Sequence, residues 1–142
     1  METKKEKSFK EKILEEMTVS YANSLEKNFE LAKKFIRITE EGRTDLIHKD
    51  KLTGIEQILL YLIGKLYAKE AGKTLEASAN NEELAKELMI PIGSLLPWLK
   101  KLRDSNKIVS SKDGKRVAHY VRINLVEKIL ENIDTKLKSK MK

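Results

Sequence analysis

Residues 80–123 read NNEELAKELMIPIGSLLPWLKKLRDSNKIVSSKDGKRVAHYVRI. Each part of this stretch carries its own local signal. Asn80 and Asn81 are both good N-caps, because a short side-chain oxygen can accept a free N–H of the first helical turn, and Asn80 has Glu83 three residues on. Leu84, Ala85 and Leu88 then form one apolar stripe. That helix must stop by Ile90, since the ring of Pro91 crowds the preceding residue out of helical conformation. Ile92-Gly93 completes a tight turn. A second helix follows, with Leu95, Trp98, Leu99 and Leu102 at helical spacing. Asn106 suits the left-handed residue that closes a helix. Lys107–Ser111 and Arg116–Ile123 read as strands around Lys112-Asp113-Gly114-Lys115, and Asp-Gly between such runs is a strong hairpin signal.

This order of elements resembles the winged helix-turn-helix superfamily. The residues that carry the likeness are the ELAKELMIPIGSLLPWLKKLRDSNKIV run and the KDGK hairpin, which would be the wing. It covers about half of the chain, and more if Ile55–Ala71 is the superfamily's first helix. It implies a DNA-binding module whose second helix enters the major groove. The expected fold is therefore mainly α with a small β-hairpin wing. A winged-helix domain at 46–123 sits between a long amphipathic N-terminal helix in 1–45 and a C-terminal helix with a Lys-rich tail in 124–142.

Upstream, residues 6–41 form a continuous helical candidate without Gly or Pro. Apolar residues recur at Phe9, Ile13, Met17, Tyr21, Leu25, Phe29, Ala32 and Phe35/Ile36, an amphipathic stripe. A coiled-coil heptad through Leu14, Tyr21, Asn28 and Phe35 mixes bulky and polar groups, so it is not a clean one. A helix of some 30 residues would be about 45 Å long, more than a small domain spans, which favours burial of the stripe against a second copy. Gly42 would end the helix, and Arg43–Lys49 reads as a short strand or connector.

Thr53-Gly-Ile-Glu56 is a capping box opening Ile55–Ala71, which is apolar over most of its circumference and should be the central buried helix. Gly64 inside it points to the close approach of another helix. Residues 72–79 read as a polar loop. In the wing's second strand, alternation puts Val117, His119, Val121 and Ile123 inward, with His119 hydrogen-bonded and partly buried. Asn124-Leu-Val-Glu127 reads as another capping box, starting a last amphipathic helix with Ile129, Leu130, Ile133 and Leu137 on one side.

The net charge of +7 is unevenly placed. Residues 1–45 are neutral, 46–98 sum to −1, and 99–142 carry thirteen basic and five acidic side chains, net +8. Such polarity is the footprint of a polyanion binder. With Leu95, Trp98, Leu99 and Leu102 buried, the opposite face of their helix holds Gly93, Pro97, Lys100, Lys101 and Asp104, flanked by Ser94, Leu96 and Arg103. The candidate DNA contacts are Ser94, Pro97, Lys100, Lys101 and Arg103 on this helix and Lys112, Lys115 and Arg116 on the wing. The face lacks the Asn, Gln and Arg that make bidentate base contacts, so affinity should come mostly from phosphates. Trp98 is expected in the core.

The chain has no Cys and two distant His, which excludes disulfides and thiolate metal sites and gives no zinc spacing. No Gly-rich phosphate loop or nucleophile motif is present, so neither catalysis nor a cofactor is expected. No apolar run approaches a membrane span, and METKKEKSFKEK is not a secretory signal, so a cytoplasmic protein is expected. The expected function is double-stranded DNA binding as a transcription regulator or architectural factor, by a homodimer joined through the N-terminal or C-terminal helices. The alternative is a winged-helix protein-interaction module, or an RNA binder.

Overall fold

A computed structural model of the chain describes residues 8–17, 21–114 and 116–140. The molecule is organised around helix α4, Gly54–Glu70. Its start is the anticipated reciprocal cap: Thr53 Oγ1 accepts the Glu56 N–H at 3.1 Å, and Glu56 Oε1 accepts the Thr53 N–H at 2.8 Å. Ile58, Leu60, Leu62, Ile63 and Leu66 are fully buried, as an almost wholly apolar helix requires.

The expected single helix over 6–41 does not form in the described residues. The chain makes three short helices, α1 (Phe9–Glu16), α2 (Tyr21–Lys27) and α3 (Phe29–Ala32), then strand β1 (Ile36–Ile38). Asn28 breaks the run: its backbone leaves helical geometry (φ −98°, ψ 7°) and its side-chain amide donates to the Ser24 carbonyl at 2.8 Å. Beyond it, the β-branched Ile36, Ile38 and Thr39 favour extended backbone over a further helical turn. β1 pairs antiparallel with β2, Thr44–Leu46. Gly42 is thus in a hairpin turn and not at a helix end. Its φ is +91°, and a Cβ there would lie 2.7 Å from the Lys73 carbonyl oxygen.

This hairpin lies across α4 at Gly64, where a Cβ would stand 2.3 Å from Thr44 Cγ2. The close approach read from Gly64 is therefore to a strand, not to a helix. α2 and α3 pack within the chain, burying Leu25 and Ala32 with Phe35 against α4 and the last helix, α7 (Val126–Lys140). Lys27–Glu127 (3.2 Å) and Lys34–Asp134 (3.4 Å) pair along the same seam. Residues 21–46 are thus integrated with the rest and form neither a separate arm nor a coiled coil. Of the expected stripe, Phe9, Ile13 and Met17 on and beside α1 and Phe29 of α3 remain exposed.

α7 buries Ile129, Leu130, Ile133 and Leu137, as its pattern predicts. It does not start at a capping box: Asn124 lies inside a 3-10 turn, Ile123–Leu125, which precedes the helix. Its Lys-rich end is helical to Lys140, with Lys136 paired to Glu56 and Lys138 to Asp134, both at 3.1 Å.

The remaining elements are strand β3 (Ala79–Asn80), helices α5 (Asn81–Leu88) and α6 (Ile92–Asp104), and strands β4 (Val109–Asp113) and β5 (Arg116–Tyr120), in a three-stranded antiparallel sheet of order β3-β5-β4. The end of the expected 72–79 loop is thus a strand. An N-cap residue has extended backbone, so Asn80 serves twice: it pairs with Ala118, and its Oδ1 accepts the Glu83 N–H at 2.8 Å.

Candidate nucleic-acid interface

The geometry of the α5–α6 corner follows from three residues. Met89 takes the left-handed conformation (φ 56°) and ends α5, and Ile90 turns inward and is buried. Pro91, extended at φ −59° and ψ 142°, caps α6, its carbonyl accepting from Ser94 (3.0 Å) and Leu95 (2.9 Å). Lys49 Nζ donates to the Leu88 carbonyl at 2.8 Å, satisfying one of the acceptors left at the end of α5.

α6 runs unbroken through Pro97 and buries Leu95, Leu99 and Leu102. Trp98 faces inward as expected, so close to Gly54 that a Cβ there would lie 2.1 Å from its Cζ3. Asn106 closes the helix in the left-handed conformation (φ 59°), with the Lys107 N–H donating to the Leu102 carbonyl at 2.9 Å. In the β4–β5 hairpin Asp113 pairs with Arg116, so its loop begins at Gly114 (φ 64°), one residue later than an Asp-Gly loop would place it.

The candidate residues divide. Pro97, Lys100, Lys101, Arg103, Lys112 and Arg116 are exposed, Ser94 is half-buried, and Lys115 lies outside the described residues. At 100° per residue, Pro97 and Lys100 occupy the middle of the exposed arc of α6, while Lys101 and Arg103 are about 160° apart on opposite flanks. The charge of Arg103 is felt at the buried His119 of β5. The four exposed candidates of α6 are therefore a ridge with two flanks, not one flat patch, and Lys112 and Arg116 are on the separate β4–β5 hairpin. Two exposed cations of the same unit, Lys107 and Arg122, were not among the candidates, although the charge run contained them.

An apolar strip borders the ridge. Met89 is 83% exposed, Ile92 47% and Leu96 45%. Ile92 and Leu96 share the flank that carries Arg103.

The β4–β5 hairpin is fastened to the start of α5 by a partly buried network around His119. His119 is 1% exposed. Its Nε2 lies 2.6 Å from Asn81 Oδ1 and its Nδ1 2.6 Å from Ser110 Oγ. An amide oxygen only accepts, so the proton sits on Nε2 and Nδ1 accepts from the serine hydroxyl. Burial, with the nearby positive charge of Arg103, pushes the imidazole down to about 4, so it is neutral at pH 7. The sequence reading foresaw a hydrogen-bonded histidine but only a partly buried one.

Among the described residues no three His, Asp or Glu side chains are placed to hold a metal ion, and no helix is long and apolar enough to cross a membrane. No family model matches the chain, and no curated protein or solved structure is significantly similar to it.

Proposed function

We propose that α4 to β5 form a winged helix-turn-helix unit that binds double-stranded DNA, with α6 at the major groove and the β4–β5 hairpin on the flanking backbone. The observation that carries this reading is the state of the charges. Residues 99–122 hold eight basic and two acidic side chains, net +6. Among the described residues, Lys100, Lys101, Arg103, Lys107, Lys112, Arg116 and Arg122 have no ion-pair partner and fall close together in the chain; elsewhere Lys27, Lys34, Lys65 and Lys136 are paired with carboxylates, while Lys51, Lys69, Lys73, Lys86 and Lys128 are unpaired but scattered. Unpaired cations on a helix and its adjoining hairpin suit a phosphate backbone.

Base readout is weak on this account. The middle of α6 offers Pro97 and Lys100, flanked by Leu96, and of these only Lys100 can read a base edge, at guanine O6 and N7. Binding should therefore tolerate sequence and fall steeply with salt. The test is retardation of a random duplex at low and moderate salt. The reading requires a shift at low salt that fades as salt rises.

A second reading has its own observation: the exposed Met89, Ile92 and Leu96 are apolar side chains on the flank a DNA helix would approach, and such a strip suits a protein partner. A M89S/L96S variant separates the two. Unchanged duplex retardation keeps the strip out of the DNA contact. A pairing of two copies would fall to α1, whose Phe9 and Leu14 are exposed among the described residues.

A further inference from the structure

A cavity of about 430 Å³ lies where the start of α4, the residues after α6 and one edge of α7 converge. Its volume is in the range of small-molecule sites. The floor is apolar: Leu59, Ile129 and Ile133 are buried, and Ile55 and Leu125 are only partly covered. The rim is cationic. Lys107, Lys128 and Lys136 line it with one carboxylate, Glu56, a net +2.

That carboxylate is already committed. Glu56 accepts the Thr53 N–H through Oε1 and pairs with Lys136 through Oε2 at 3.1 Å. Burial would raise its pKa, but the hydrogen bonds from Thr53 and Lys136 hold it below the usual carboxylate range, so it stays ionised and matched to Lys136. Lys107 and Lys128 are left, both exposed and without an anionic partner among the described residues. Asn132 adds a side-chain amide at the same rim.

From this arrangement we propose that the cavity binds a small amphipathic anion: an apolar body of acyl-chain or fused-ring type over Ile55, Leu59, Ile129 and Ile133, with its carboxylate, sulfonate or phosphate between Lys107 and Lys128. The site does not depend on the DNA-binding reading, although it shares Lys107 with the cations which that reading counts. Ser105, Asn106 and Lys107 both line the cavity and join α6 to β4, so an occupant touches the segment from which the wing departs.

The experiment is a calorimetric titration of the full chain with three probes of one chain length: decanoate, decan-1-ol and decyltrimethylammonium, each below its micelle threshold. The single Trp gives a second readout, because Trp98 packs on Gly54, between the cavity residues Thr53 and Ile55. The expected result is saturable binding of one decanoate per chain, with the alcohol weaker and the cation weakest. K107E/K128E, two exposed substitutions, should weaken decanoate about tenfold and reverse the order of the charged probes. N132W, which fills the mouth from an exposed position on α7, should block the site in a chain whose lysines are intact. The proposal is overturned if decanoate does not saturate, if K107E/K128E leaves its affinity unchanged, or if N132W binds it as the natural chain does.

Discussion

His119 of β5 donates from Nε2 to Asn81 Oδ1, the first residue of α5, across 2.6 Å. One buried bond thus joins the hairpin to the helix pair, beside the backbone pairing of Ala79 with His119. The β4–β5 hairpin is held against the start of α5 by this contact together with the β3–β5 pairing. Its chemistry makes it sensitive to acid. In the folded chain the imidazole is held at about 4, while in the unfolded chain it returns to the ordinary 6.5. Between those values the unfolded state binds the extra proton, so stability rises with pH across the window. The contribution of His119 is complete above about pH 6.5 and is lost as pH falls toward 4. Melting temperatures measured from pH 4 to 7 should climb more steeply for the natural chain than for His119→Gln. Parallel curves would show that His119 is not held neutral.

Thr44 faces α4 with a buried hydroxyl that has no hydrogen-bond partner among the described residues. Burying an unpaired hydroxyl is costly. Thr44→Val keeps the shape and suits a strand, so it should raise stability by about 1 kcal/mol in urea unfolding. A loss of similar size would mean that the hydroxyl has a partner in solution.

Gly64→Ala should lower stability by about 2 kcal/mol, because the added methyl meets Thr44 Cγ2 in a packed interior and outweighs the gain in helix propensity. Combining it with Thr44→Ser, which removes Cγ2, should recover part of that loss. Purely additive effects would place the clash elsewhere.

Asn80→Ala should cost about 1 kcal/mol through the lost cap on α5 while leaving the β3–β5 pairing in place. Amide exchange at Glu83 should accelerate more than that at residues of β5. Equal acceleration throughout the sheet would show that cap and strand are one unit.

The residues 80–123 were legible because each boundary is enforced locally. Asn80 caps, Pro91 bars any helix from reaching Ile90 and caps the next one, Asn106 takes the left-handed turn, and Gly114 opens the hairpin. The N-terminal third was not, because its apolar steps continue smoothly through Phe35 and Ile36 while the chain changes from helix to strand. Periodicity does not register that change. It is set by the tertiary match of Thr44 and Ile36 to the missing Cβ of Gly64, which lies twenty residues or more away. β3 escaped notice because two residues carry no alternation. For the candidate site, a helical wheel was enough to expose Pro97 and Lys100. The separation of Lys101 from Arg103 follows from the same wheel once the buried arc is fixed, but the influence of Arg103 on His119 depends on the packing of β5 against α5.

The central claim is that the unpaired cations of α6 meet phosphates. The most direct test is the affinity of a random duplex across a range of salt concentrations, for the natural chain and for K100A/K101A. The account predicts weaker binding at every salt concentration, and a plot of log affinity against log salt that is shallower by about 1.8, since each lost phosphate contact removes roughly 0.9. Identical slopes for the two proteins, or no binding of duplex by either at low salt, would contradict it.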